Sequence, residues 1–189
     1  GNEQEKTKKE KADVAGVWLE QDSDDPIVLT FKEDGSFEYY ASVSHANDYY
    51  SQYSVEEDRL TLNLPAPDNS CVVPVPYIVS SLDSERISLK IDFENITVDT
   101  SPLCGVEESL EGEYKRLSLT DAQLETARQR LNVPADIEVQ FRQGTPQYWD
   151  AGERWLVYVG VYDDDSFLAG ASFDPFEMEM YTDVYMYSE

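Results

Sequence analysis

The chain has 189 residues and sets 39 acidic side chains against 14 basic ones, for a formal charge of −25 near neutrality. A surface this acidic repels phosphates and anionic headgroups, because the counterion release that drives nucleic-acid binding requires lysines and arginines. Nucleic acid and bare anionic membranes are therefore excluded as partners, while 41% hydrophobic and 12% aromatic residues suffice for a real core beneath the charge.

One histidine and two cysteines remove further classes of chemistry. A Ser-His-Asp or Cys-His site needs an imidazole beside a nucleophile, and a structural zinc site needs about four closely spaced Cys/His ligands. His45 lies in the polar stretch 44–48 and reads as an exposed loop residue. No metal and no cofactor are expected, and no motif identifies a reaction. No run of about 18 apolar residues is present to span a bilayer.

The chain opens on Gly1 and a mixed-charge tract without apolar period, so residues 1–13 read as a flexible tether. Such tethers precede the folded part of exported bacterial lipoproteins, with a lipid-bearing cysteine upstream, and the expectation is an extracytoplasmic, surface-anchored or secreted protein. Cys71 and Cys104 fit that compartment as one disulfide closing a loop of about 34 residues, worth roughly 3–4 kcal/mol; the alternative is two reduced thiols.

From Val14 onward, period-two alternation dominates. Ile27, Leu29 and Phe31 share one face, Asp34-Gly35 supplies a tight hairpin turn, and Phe37, Tyr39 and Ala41 continue on the returning strand. Tyr49 to Val55, Leu60 to Leu64, Val72 to Val79 and Ile87 to Phe93 follow at hairpin spacing, and Gly112–Arg116 closes the series. Pro74 and Pro76 argue that their strand is an edge or has a bulged entry. About seven short strands without an intervening helix indicate an antiparallel barrel or sandwich over residues 14–117.

At Leu119 the pattern changes. Thr120 and Gln123 form a capping box, Leu119 and Leu124 a hydrophobic staple, and Leu124, Ala127 and Leu131 an apolar stripe that Asn132 and Pro134 terminate. Strands follow around Ile137–Arg142, Trp155–Tyr162 and Phe167–Phe173, with a last one expected over Tyr181–Tyr187. Residues 118–189 thus read as a small α+β module, one helix on an antiparallel sheet. The fold class is mainly β.

Four segments carry a resemblance: Gly16-Val17-Trp18, Phe31-Lys32-Glu33-Asp34-Gly35-Ser36-Phe37, Tyr53-Ser54-Val55 with Leu60-Thr61-Leu62, and Tyr114-Lys115-Arg116. In that order, over roughly residues 14–117, the chain resembles the lipocalin-like domains of exported bacterial proteins. The resemblance implies a calycin-type barrel in which the Gly-x-Trp segment, with Trp18, plugs one end. The helix and the run Phe167–Pro175 are similar in outline to small secreted helix-plus-sheet modules, including PepSY-type domains, although Phe176-Glu177 stands where those modules often carry a Thr-Gly turn.

Aromatic residues are the candidate binding groups, because flat rings stack on sugars and line apolar pockets while their polar tips orient a ligand. Tyr39, Tyr49 and Tyr53 fall on adjacent strands, and Tyr148-Trp149 sits in a turn-rich link between strands. The competing reading is ordinary strand packing, or for Tyr148-Trp149 packing between the two units. Asp163-Asp164-Asp165 lacks the ligand spacing of a calcium loop and reads as a solvated turn, and Asn95-Ile96-Thr97 as an incidental glycosylation match. The expected function is a monomeric, non-enzymatic binding protein for a small amphipathic or sugar-like ligand in or on the barrel. The rival is an interaction or inhibitory module acting on a cationic protein through the C-terminal unit, and acid-catalysed hydrolysis comes third.

Overall fold

The computed structural model describes residues 11–41, 49–65, 72–96 and 110–189. His45, Cys71, Cys104 and Thr97 lie outside the described residues. The chain divides into two compact units between Lys115 and Arg116.

The first unit is a closed antiparallel barrel of eight strands in sequential order: β1 Gly16–Glu20, β2 Ile27–Phe31, β3 Ser36–Ala41, β4 Tyr49–Glu56, β5 Arg59–Pro65, β6 Val72–Ser81, β7 Arg86–Ile91 and β8 Gly112–Arg116. Each strand pairs with the next, and the ring closes where the Gln21 amide, just beyond β1, donates to the Glu113 carbonyl of β8 at 2.9 Å. The β2–β3 turn is fixed by Asp34, whose Oδ1 accepts from the Ser36 amide at 2.9 Å and the Ser36 hydroxyl at 2.6 Å. Those hydrogen bonds hold the Asp34 carboxyl below its usual range.

Alternation sends one set of side chains inward. Leu29 and Phe31 of β2, Phe37 of β3, Leu60, Leu62 and Leu64 of β5, Val75, Tyr77 and Val79 of β6, and Ile87 and Leu89 of β7 join one continuous buried cluster. Trp18 sits in it at 1% exposure, its indole N–H donating to the Val14 carbonyl at 2.8 Å. The segment before β1 is drawn across to the β4–β5 turn by a bond from the Ala12 amide to the Glu57 carbonyl at 2.7 Å.

The prolines of β6 find a place that costs no ladder bond. β6 lies inside the closed ring, yet among the described residues Val72–Pro76 pairs only with β5, because pairing with β7 begins only at Tyr77 opposite Ile91. The Pro76 carbonyl accepts from the Asp92 amide at 2.9 Å, so the Pro76 nitrogen faces away from β5, where β7 has run out.

The second unit carries α1 Asp121–Arg130 and strands β9 Gln140–Gln143, β10 Gln147–Trp149, β11 Arg154–Asp163 and β12 Ser166–Phe173. The Thr120–Gln123 capping box forms in both directions, and Asn132 takes the left-handed conformation (φ 61°) that ends the helix. β11 is the central strand: β12 pairs along one side, and β9 and β10 share the other. Leu124, Ala127 and Leu131 pack with Val157, Val159, Val161, Ala169, Ala171 and Phe173 in a second buried cluster.

The segment after β12 differs from the strand expected over Tyr181–Tyr187. It runs beside β12 through two isolated bridges, Phe173 to Met180 and Gly170 to Tyr185, and Asp183 between them has φ 55°. A left-handed residue there breaks the regular ladder.

Two buried tyrosines hold the chain ahead of β8. The Tyr114 hydroxyl donates to the Leu110 carbonyl at 2.9 Å, and the Leu110 amide donates to the Tyr77 hydroxyl at 3.2 Å. Burial, with Glu20 and Tyr77 nearby, pushes the Tyr114 hydroxyl far above the usual tyrosine range and keeps it a donor. Tyr114→Phe leaves the buried Leu110 carbonyl without that partner and is expected to lower barrel stability by about 1–3 kcal/mol in urea unfolding; an unchanged midpoint would show that the hydroxyl bond contributes nothing.

Candidate functional site

On the barrel, Tyr39 and Tyr53 end a row of rings. Tyr53 meets Phe31 edge to face at 5.1 Å between centroids, Phe31 stacks with Phe37 at 5.8 Å, and Phe37 with Tyr39 at 6.3 Å. Tyr39 and Tyr53 are thus linked through two phenylalanines, and both pack against the barrel core. The Tyr53 hydroxyl donates to the Lys32 carbonyl at 2.6 Å, which fixes its ring. Burial, followed by the charges of Asp34, Glu33 and Asp13, pushes that hydroxyl's pKa up. Tyr49 lies opposite Tyr39 in the β3–β4 ladder, and its side chain is outside the described structure.

A cleft of about 300 Å³ opens beside Tyr53. Val14 and Val55 give it apolar lining, the Tyr53 ring forms a wall, and Lys11, Asp13 and Glu33 bring charges of both signs. A smaller depression of about 210 Å³ lies along β3 and β4 near Lys32, Glu38 and Gln52.

In the second unit, Tyr148 and Trp149 go to different neighbours. They belong to a short strand, β10, which pairs with Arg154–Leu156, and successive residues of a strand point to opposite sides. Tyr148 meets Trp155 edge to face at 5.6 Å, whereas Trp149 lies 6.0 Å from Tyr181 with its ring over Gly152, where no Cβ would fit.

The sheet face opposite the helix carries Tyr158 and Tyr162 of β11 and Phe167 of β12, with Tyr185 alongside. Tyr162 and Phe167 meet at 5.6 Å, and Phe167 and Tyr185 at 6.2 Å, both edge to face. Beneath them Gly160 and Gly170 pair directly across the ladder. The Tyr162 ring covers Gly160, where a Cβ would stand 2.8 Å from its Cε2, and the Tyr158 hydroxyl and Phe167 ring cover Gly170. The aromatic side chains therefore fill the space a Cβ would take at both glycines and cover the bare backbone there. Partial burial and the neighbouring Tyr162, Tyr185 and Asp183 push the Tyr158 hydroxyl's pKa up.

Arg154, Asp174 and Tyr181 form a cluster that sequence spacing did not reveal. The Arg154 guanidinium lies 4.1 Å from the Tyr181 ring centroid, pairs with Asp174 Oδ2 at 3.2 Å, and donates to the Tyr181 hydroxyl. Asp174, nearly buried, turns its Oδ1 to the amides of Phe176 at 2.7 Å and Glu177 at 3.1 Å. The Tyr181 hydroxyl donates to Glu179 Oε2 at 2.8 Å, a bond that raises its pKa.

Among the described residues no group of three or more histidine, cysteine or acidic side chains is placed to hold a metal ion, and no helix is long and apolar enough to cross a membrane. The glycine pair gives a direct test of the aromatic layer. Gly170→Ala drives a methyl into Tyr158 and Phe167 and is expected to cost about 1–3 kcal/mol of stability in thermal or urea unfolding. Gly144→Ala, whose Cβ would meet Tyr158 Cβ at an ordinary 3.6 Å, is expected to be nearly neutral; equal effects of the two would contradict the packing described. No family model matches this chain, and neither the curated proteins nor the solved structures show a significant match to it.

Proposed function

We propose that the chain is an extracytoplasmic, non-enzymatic binding protein on a lipocalin-like barrel, surface-tethered through its N-terminal segment, that takes a small amphipathic or sugar-like ligand beside Tyr53. The observation that carries the reading is the cleft of about 300 Å³, which joins apolar lining from Val14 and Val55 to a fixed tyrosine ring and a rim of Lys11, Asp13 and Glu33. That volume lies at the lower end of small-molecule sites, roughly 300–1,000 Å³, and fits a monosaccharide or a short amphiphile. The barrel core argues for a ligand at the surface, since Trp18, Phe31, Phe37, Tyr77 and Tyr114 are fully buried against one another and their neighbours. The non-enzymatic reading rests on composition, with a single histidine in the sequence and no nucleophile-base motif. The kinship with lipocalin-like domains is supported by the closed eight-stranded ring and by Trp18, anchored to the Val14 carbonyl beneath the segment that enters β1.

Octyl glucoside below its micellar concentration, with glucose and a short-chain zwitterionic detergent for comparison, tests the proposal by NMR titration of the full chain. Shifts are expected at residues 11–15 and at Glu33, Tyr53 and Val55. Tyr53→Ala is expected to weaken binding about 10-fold, and Tyr53→Phe, which keeps the ring, by much less. No saturable shift at these positions with any of the three probes would overturn the reading.

A further inference from the structure

The outer face of the C-terminal sheet leaves two rings uncovered, Phe167 at 46% and Tyr185 at 58% exposure, edge to face at 6.2 Å. Their surroundings are acidic apart from Arg142, which lies on the neighbouring Tyr162 ring and pairs with Asp165. Asp163 ends β11 and Asp164 and Asp165 form the turn to β12, Asp183 precedes Tyr185 by two residues, and no basic residue follows Arg154 in the sequence. Asp164 and Asp183 are exposed and make no ion pair among the described residues.

The same unit shows what a ring beside a carboxylate accepts. The Arg142 guanidinium lies 4.0 Å from the Tyr162 ring centroid and 3.4 Å from Asp165, while Arg154 lies 4.1 Å over Tyr181 and 3.2 Å from Asp174. Twice, a guanidinium is shared between a tyrosine face and an aspartate. A planar guanidinium stacks and pairs at once, which a lysine ammonium does less well. We infer that the Phe167–Tyr185 surface is a docking site for an arginine-bearing segment of a partner protein, with a guanidinium on the exposed rings and Asp164 and Asp183 as counter-charges. A neutral sugar would leave the carboxylates unused, and an anionic ligand would be repelled by them; charge complementarity selects a basic polypeptide. This surface belongs to the second unit and is independent of the barrel cleft beside Tyr53, so either can fail without the other.

The test titrates the full chain with an arginine-rich peptide, a lysine-rich peptide of equal charge and length, and a neutral oligosaccharide. Shift mapping of the unaltered protein reports the place, and calorimetry the affinity. The arginine peptide is expected to bind more tightly than the lysine peptide, with shifts centred on residues 162–170 and 183–186. Phe167→Ala combined with Tyr185→Ala is expected to weaken it about 5- to 30-fold, and Tyr185→Phe to leave it nearly unchanged. Circular dichroism melts confirm that these variants fold, and the map of the unaltered protein decides the matter if the double variant does not. Equal binding of the two peptides, indifferent to the double substitution, would reduce the effect to the overall negative charge and overturn the inference. So would binding of the oligosaccharide in place of the peptide, or no binding by any probe.

Discussion

A β-strand presents alternate residues to opposite faces, and this molecule is organised by what lies on the second face. In the barrel, the inward set is a continuous apolar cluster, and closure of β8 on β1 completes the ring. In the C-terminal sheet, the inward set is small and branched, Val157, Val159, Val161, Ala169 and Ala171, which lets α1 pack close. The outward set there alternates large rings with glycine, Tyr158-Val159-Gly160-Val161-Tyr162 along β11. Rings laid over the Gly160–Gly170 pair restore the packing that glycine gives up, and they convert an ordinary polar face into an aromatic one.

Polar groups then fix the places where alternation alone would leave the chain loose. Tyr77 and Tyr114 hold both backbone groups of Leu110, and Trp18 holds Val14. Asp174 does the corresponding work in the second unit, with one oxygen on the turn that follows β12 and the other on Arg154. Each is a buried or half-buried group whose partner is backbone or an opposite charge, which is the condition for keeping polar atoms out of water.

The strands, the Asp34-Gly35 hairpin and the capped helix were legible because each is written in local residues: alternation, a turn pair, Thr120 three residues before Gln123. What local pattern could not supply was pairing across distance. Tyr148 and Trp149 read as one exposed loop feature, yet a three-residue strand separates their neighbours. Tyr181 and Tyr185 read as parts of a last strand, although a left-handed Asp183 lies between them and reduces the ladder to isolated bridges. Arg154 and Asp174 meet only because β11 and β12 run antiparallel, and nothing in their spacing announces it. Among the candidate binding residues, Tyr39 and Tyr53 were rightly grouped on neighbouring strands, but the phenylalanines that join them came from the core pattern.

Aromatic side chains packed against the Gly160–Gly170 pair, with Phe167 and Tyr185 left uncovered, are the feature on which the outer face of the C-terminal sheet depends. The Hα resonances of Gly160 and Gly170 measure this most directly, since ring currents displace the resonance of a proton packed against an aromatic side chain. The Hα in the side-chain position of each glycine is expected away from its random-coil shift, with nuclear Overhauser contacts from Gly160 to the Tyr162 ring and from Gly170 to the Tyr158 and Phe167 rings. Random-coil shifts without those contacts would contradict it.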